Sequence, residues 1–227
     1  MRVLTWLAVA LAVMGVGGAL AVLGSRRRRA GRPVLTTTPR VFIRHAEAGT
    51  QGKLVGSLVL VGPPLRAPLS GRPCGCWRIE IEAMRLVDGG QGWEPVLMRS
   101  HHCEFELVDG TGRVRVRPSP SPKLSIVLDR HYESGLIDEP DPPVRDFLDR
   151  FAPDLREELG RILRYHEGVI EPGERVAVLG RVIHEPDPDA SAIAGGYRTA
   201  TPSMRRVVVD PPDGPMHISD DPETLGL

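Results

Sequence analysis

FELVDGTGRVRVRP, residues 105–118, decides the fold class of this chain. Apolar and polar side chains alternate on both sides of Asp109-Gly110-Thr111-Gly112, which is the period of a strand with one buried face. Asp-Gly supplies the positive φ angles of a tight turn. The stretch predicts a hairpin from His102–Val108 and Gly112–Arg117, with Phe105, Leu107, Val114 and Val116 inside.

Working outward, Lys53–Val61 lies between glycines and reads as a strand. The prolines of Pro63–Pro73 make an ordered loop, because each removes a ladder donor. Cys76–Leu86 alternates again, with Trp77, Ile79 and Ile81 on one face and Arg78, Glu80 and Glu82 on the other. Asp88–Gly92 reads as a turn and Ser119–Pro143 as a long surface loop with one short strand at Leu124, Ile126 and Leu128. Val144, Phe147, Leu148 and Phe151 follow helical spacing with Pro143 at the start. Leu155, Leu159, Ile162 and Leu163 continue or restart that helix. Tyr165–Ile170, the turn Pro172-Gly173 and Arg175–His184 then read as a strand and the strand that pairs back on it, and Arg205–Val209 as a last strand. The expected fold is mainly β with one amphipathic helix, either an OB-like five-stranded barrel or an open meander.

Across the 227 residues, Lys and Arg total 29 and Asp and Glu total 29, but six arginines fall in the first 34 residues and no acid precedes Glu47. The remainder carries 23 basic against 29 acidic residues, a net charge of −6. Phosphate repels such a domain, which excludes nucleic acid as a partner. The 25 glycines and 22 prolines suit a turn-rich β domain and not a helical bundle. Three cysteines are too few for a disulfide framework and fit a reducing compartment.

Val3–Gly24 is 22 residues without a charge. As a helix it spans about 33 Å, enough for a hydrocarbon core of about 30 Å. Only Arg2 precedes it, whereas Arg26, Arg27, Arg28, Arg29 and Arg32 follow. The positive-inside rule then makes it a single-pass anchor with Met1 outside and the domain cytoplasmic. The rival reading, a cleavable signal peptide, expects its charges ahead of the apolar core. Arg26–Arg29 are expected to meet anionic lipid head groups. The chain divides into a transmembrane helix at 3–24, a basic juxtamembrane linker at 25–40, a β domain at 41–210 and a Pro- and Asp-rich tail at 211–227.

PLRAPLSGRPCGCWRIEIE (Pro64–Glu82), the hairpin stretch Phe105–Pro118 and RYHEGVIEPGERVAVLGRV (Arg164–Val182) together resemble the GIDE domain, also called BAM, for beside-a-membrane. That module occurs in mitochondrial and chloroplast envelope ubiquitin ligases and in bacterial membrane proteins. The resemblance spans about residues 53–185, and SGRPC at Ser70–Cys74 is its most specific element. It implies a membrane-side domain that recognises partners. In the eukaryotic ligases catalysis resides in a separate C-terminal RING, whose two zinc ions need eight Cys or His ligands. This sequence has no CxxC and no cysteine after Cys103, so the expectation is a recognition domain without the transferase module.

Other constellations are weaker. Cys74 and Cys76, two apart on a strand, would share a face, as would His101 and Cys103, and the four suit a tetrahedral zinc site if the strands are neighbours. The spacing is not the usual CxxC knuckle, so no metal and no cofactor are expected. Ser70 lacks a GxSxG context and reads as a turn residue; Arg72 reads as one half of an ion pair. His166-Glu167 and His184-Glu185 are not HExxH motifs, because Ile170 and Pro188 stand at the second histidine position. No P-loop is present, and Trp93 alone is no stacking platform for bases. The expected function is recruitment of a protein partner at the membrane through the ledge Pro68, Leu69, Ser70, Gly71, Arg72 and Pro73, since a rigid loop loses little entropy on binding. The competing expectations are an E3 ubiquitin transferase-related enzyme, a hydrolase using Ser70 or a cysteine, and a structural part of an envelope assembly.

Overall fold

The computed structural model describes residues 32–87, 90–134, 141–153, 155, 162–188 and 203–226. Its strands are β1 (Gln51–Leu60), β2 (Leu65–Arg66), β3 (Pro73–Cys74), β4 (Cys76–Val87), β5 (Gly90–His102), β6 (Phe105–Val108), β7 (Arg113–Val116), β8 (Lys123–Ser125), β9 (Arg130–Ser134), β10 (Leu163–Ile170), β11 (Arg175–Pro186), β12 (Met204–Val209) and β13 (His217–Ser219). The helices are short: α1 (Arg32–Thr37), α2 (Pro142–Phe151) and α3 (Pro222–Leu225). Val3–Gly24 and Arg26–Arg29 lie outside the described residues, and among those described no helix is long and apolar enough to cross a membrane.

The expected hairpin forms as β6 and β7, with Phe105 opposite Val116 and Leu107 opposite Val114. It is one side of a closed five-stranded barrel in the order β1-β6-β7-β12-β11, which β11 completes by pairing back onto β1. The closed ring decides between barrel and open meander in favour of the barrel. β7 and β12 are its parallel pair; the remaining neighbours run antiparallel. Leu58, Phe105, Leu107, Val116, Val178 and Val208 fill the interior. Each such side chain taken out of water stabilises the fold by about 1.5–3 kcal/mol. The seam is tied from outside by Glu185, which accepts two hydrogen bonds from Arg117 (2.9 and 2.8 Å) and two from Arg205 (2.8 and 2.6 Å). Those guanidiniums, Arg117 first, hold its carboxyl down at about 2.

A second sheet, β5-β4-β10-β9, packs its apolar face on α2. Trp77, Ile79, Ile81 and Ala83 of β4 meet Val144, Phe147 and Leu148, and the Trp77 ring stands edge-on to Phe147 and Phe151 at 6.4 and 6.2 Å. Such edge-to-face contacts add to the gain from burial.

Several expectations change. The strand at Cys76–Leu86 belongs to this second sheet and not to the barrel. Tyr165–Ile170 does not pair with Arg175–His184: β10 lies between β4 and β9, while β11 lies against β1, β12 and β13. The reason is that the two strands serve different cores. Tyr165 and Val169 face α2, whereas Val176 and Val178 fill the barrel, so Pro172-Gly173 carries the chain between layers. β5 was not foreseen, because its thirteen residues are exposed or half-buried throughout and show no alternation. Leu163 opens β10 and does not extend a helix, and the Ser119–Pro143 loop contains two strands, β8 and β9.

Both ends taken as accessory are built into the fold. In the linker, Leu35 of α1 is fully buried against Val55, Ala177, Leu179 and Leu225, on the outer wall of the barrel. In the tail, β13 pairs with β11, and Met216 and Ile218 enter the barrel core.

Candidate functional site

The passage from Ala67 to Cys76 is where the two layers join. Gly71 donates to the Ala67 carbonyl (2.9 Å) and Ala67 to the Arg72 carbonyl (3.0 Å), closing a turn that needs Gly71 at φ +70. Leu69 and Cys74 then point into the core under α2, whereas Cys76 points into the barrel. Gly75 is the crossing point. A Cβ there would meet the Leu58 side chain at 2.8 Å, so a larger residue would have to displace Leu58 within the barrel core.

A buried carboxylate holds this turn. Glu167 of β10 is wholly inaccessible. Its Oε1 accepts from the Leu69 amide at 2.8 Å and its Oε2 from the Ser70 amide at 3.1 Å. Its own carbonyl accepts from the Asp129 amide at 3.1 Å. Asp129 in turn takes both Arg72 guanidinium nitrogens at 2.7 Å. That bidentate bond raises the Arg72 pKa and lowers that of Asp129. Ser70 Oγ accepts from Arg72 Nε at 3.2 Å, which is a turn role and not that of a nucleophile.

Asp129 also stands on the wall of a cleft of about 330 Å³ between the layers. Val127, Val169, Pro222 and Leu225 give it an apolar lining, and Asp129, Glu174, Arg175 and Asp220 a charged one. Asp220 accepts from the Val127 amide at 2.8 Å. Burial, reinforced by the charges of Glu174 and Asp129, pushes its carboxyl up to about 7. The cleft therefore changes charge near neutrality.

The expected ledge is only partly a surface. Gly71 and Pro73 are exposed and Pro68, Ser70 and Arg72 half-buried, but Leu69 is 6 % exposed and serves as an anchor. The four residues of the zinc grouping are not brought to one point. Cys74 and Cys76 face different cores, and among the described residues no group of three or more His, Cys, Asp or Glu is placed to hold a metal ion. Burial pushes the Cys74 thiol up to about 12 and raises those of Cys76 and Cys103. Burial thus favours the thiol over the thiolate at all three, which works against a cysteine nucleophile.

The polar face of the second sheet carries a row that the sequence did not suggest. His166, 6 % exposed, places Nε2 3.2 Å from Glu82 Oε2 and Nδ1 2.6 Å from His131 Nδ1. Arg164 pairs with the same Glu82 oxygen at 3.2 Å and lies 3.5 Å over the Trp93 ring. Trp93 is thus occupied by a cation. His166 and Glu82 become neighbours only through the pairing of β4 with β10, so no motif spacing betrays them.

Barrel, second sheet and the cleft between them define a two-layer β domain. Residues 84–190 match the family model GIDE, described as E3 ubiquitin ligase. The matched segment runs from within β4 to just beyond β11, and leaves β1 and Ser70–Cys74 outside. No curated protein and no solved structure matches the chain.

Proposed function

We propose that this chain is a membrane-anchored recruitment module of GIDE type, which holds a protein partner on the cytoplasmic side of a bilayer and performs no transfer chemistry itself. The observation that carries this reading is the coincidence of the family match with the junction cleft: Val127, Asp129, Val169, Glu174 and Arg175 all fall inside residues 84–190. An apolar lining with a few fixed charges is the usual make-up of a recognition cleft. Its rim is preorganised by the Arg72–Asp129 pair and by Glu167, which lowers the entropy lost on docking. The ring order of the barrel is read as that of an OB-type fold. The charge-free stretch Val3–Gly24 and the Arg26–Arg29 block support the anchor, and anchoring raises local concentration so that modest contacts suffice.

A photo-crosslinking amino acid at Val127, in the full chain in its own cells, is expected to give discrete adducts with a partner. The same probe at exposed Arg113, in the hairpin, is expected to give none. Equal labelling at both positions would remove the cleft as the binding site. The second reading, an E3 ubiquitin transferase, is favoured by the family description. With ubiquitin, an activating enzyme and a conjugating enzyme, the full chain is expected to add no conjugates over the enzymes alone. Conjugates that depend on the chain would reverse that conclusion.

A further inference from the structure

We infer that the barrel itself docks on anionic phospholipid through a cationic patch made by Arg40, Phe42 and Arg44; this deepens the anchored-module reading and rests on it. Phe42 is a large side chain left 43 % exposed. Arg40 lies over its ring at 4.8 Å and Arg44 at 5.9 Å, and the His45 ring meets it edge-on at 6.4 Å. An aromatic ring between guanidiniums matches the head-group layer: the ring settles at the boundary with the acyl chains, and the planar guanidiniums bind phosphate oxygens through paired N–H donors. The acid nearest the patch is Asp109, 3.9 Å from Arg40, but its side chain is fully buried and already accepts from the Ile43 amide at 3.0 Å. Glu47, three residues past Arg44, is the next acid along the chain.

Position selects the bilayer as occupant. Lys53 Nζ donates to the Leu35 carbonyl at 2.8 Å, and the Lys53 carbonyl accepts from the Val41 amide at 2.8 Å. The residue before Phe42 is therefore stitched through one lysine to α1, whose Leu35 is fixed in the wall of the barrel. Arg29 precedes α1 by three residues, a reach of at most about 11 Å. The Phe42 patch thus follows, within a short length of chain, the arginine block that succeeds the apolar span. Val34, 45 % exposed on α1, adds apolar surface next to the buried Leu35.

The test uses the full chain in nanodiscs of phosphatidylglycerol and brominated phosphatidylcholine. The Trp6→Phe chain, which keeps Trp77 and Trp93, gives the background emission; Phe42→Trp added to it reports the patch by difference, and Trp6 of the wild-type chain reports the anchor by difference. The indole introduced by Phe42→Trp is expected to be quenched at least twofold by bromines near the head groups. Arg40→Gln with Arg44→Gln, or neutral lipid throughout, is expected to abolish that quenching. Trp6 quenched by deep bromines with no quenching at position 42 overturns the docking and leaves the anchor standing, handing the patch to a partner other than lipid. Absence of quenching at both positions overturns the anchor and the docking together.

Discussion

Asp220→Asn is expected to leave stability unchanged below about pH 4 and to raise it increasingly above that, by up to about 4 kcal/mol at pH 8 given roughly 1.4 kcal/mol per unit of pKa shift. The carboxyl is raised from 3.8 to about 7 chiefly by burial, so the folded chain binds this proton more tightly than the unfolded chain does. Stability from this group is therefore full below the unfolded pKa and is lost as pH climbs toward about 7, after which the loss is constant. Asparagine keeps an amide oxygen to accept from Val127 and carries no charge to desolvate. Denaturant melts of the full chain in detergent at pH 4 to 8 measure the difference between variant and wild type, in which other titrating groups cancel. A difference that stays flat with pH would show that Asp220 ionises freely. The prediction also bears on the cleft, since a cationic group entering beside Asp220 would favour its ionised form and lower its pKa.

The sequence shows most where one segment carries its own signal. The 105–118 hairpin, the β1 segment and the helix at Val144–Phe151 follow local periodicity and stand where expected. The barrel was legible as a class, but its membership was not. Alternation at Trp77, Ile79 and Ile81 announces a strand with one apolar face and cannot say which of two cores receives it. The same limit produced the false pairing of β10 with β11: two strands around a Pro-Gly turn look like a hairpin unless the separate destinations of Val169 and Val176 are known. β5 gave no signal because neither of its faces is fully buried. At the site, Arg72 as half of an ion pair was legible, whereas its partner Asp129 lies 57 residues away. Glu82, His166 and His131 meet only through strand register, and no local spacing encodes register.

Glu167→Ala is expected to destabilise the chain by about 2–6 kcal/mol, from roughly 1–3 kcal/mol for each of two buried amides left without an acceptor. The truncation leaves the Leu69 and Ser70 amides without the acceptor that now lies 2.8 and 3.1 Å away, in a place water does not reach. Glu167→Gln keeps one acceptor oxygen but turns an amide donor toward the other N–H, so it is expected to cost about 1–3 kcal/mol. Hydrogen exchange separates this loss from general unfolding: the amides of Leu69 and Ser70 should lose protection well before those of the barrel strand β1. Uniform loss across both layers, or a change under about 1 kcal/mol, would mean that the turn does not depend on this carboxylate. The residue is needed because two donors converge on one buried point, which a carboxylate with two acceptor oxygens satisfies, whereas a hydroxyl would bring an O–H donor that needs an acceptor of its own. Through its backbone the same residue fixes Asp129, and through its side chain it fixes the turn that presents Arg72. Truncation to alanine keeps the backbone bond to Asp129 and should therefore loosen the Arg72–Asp129 pair from the Arg72 end, and the wall of the cleft with it.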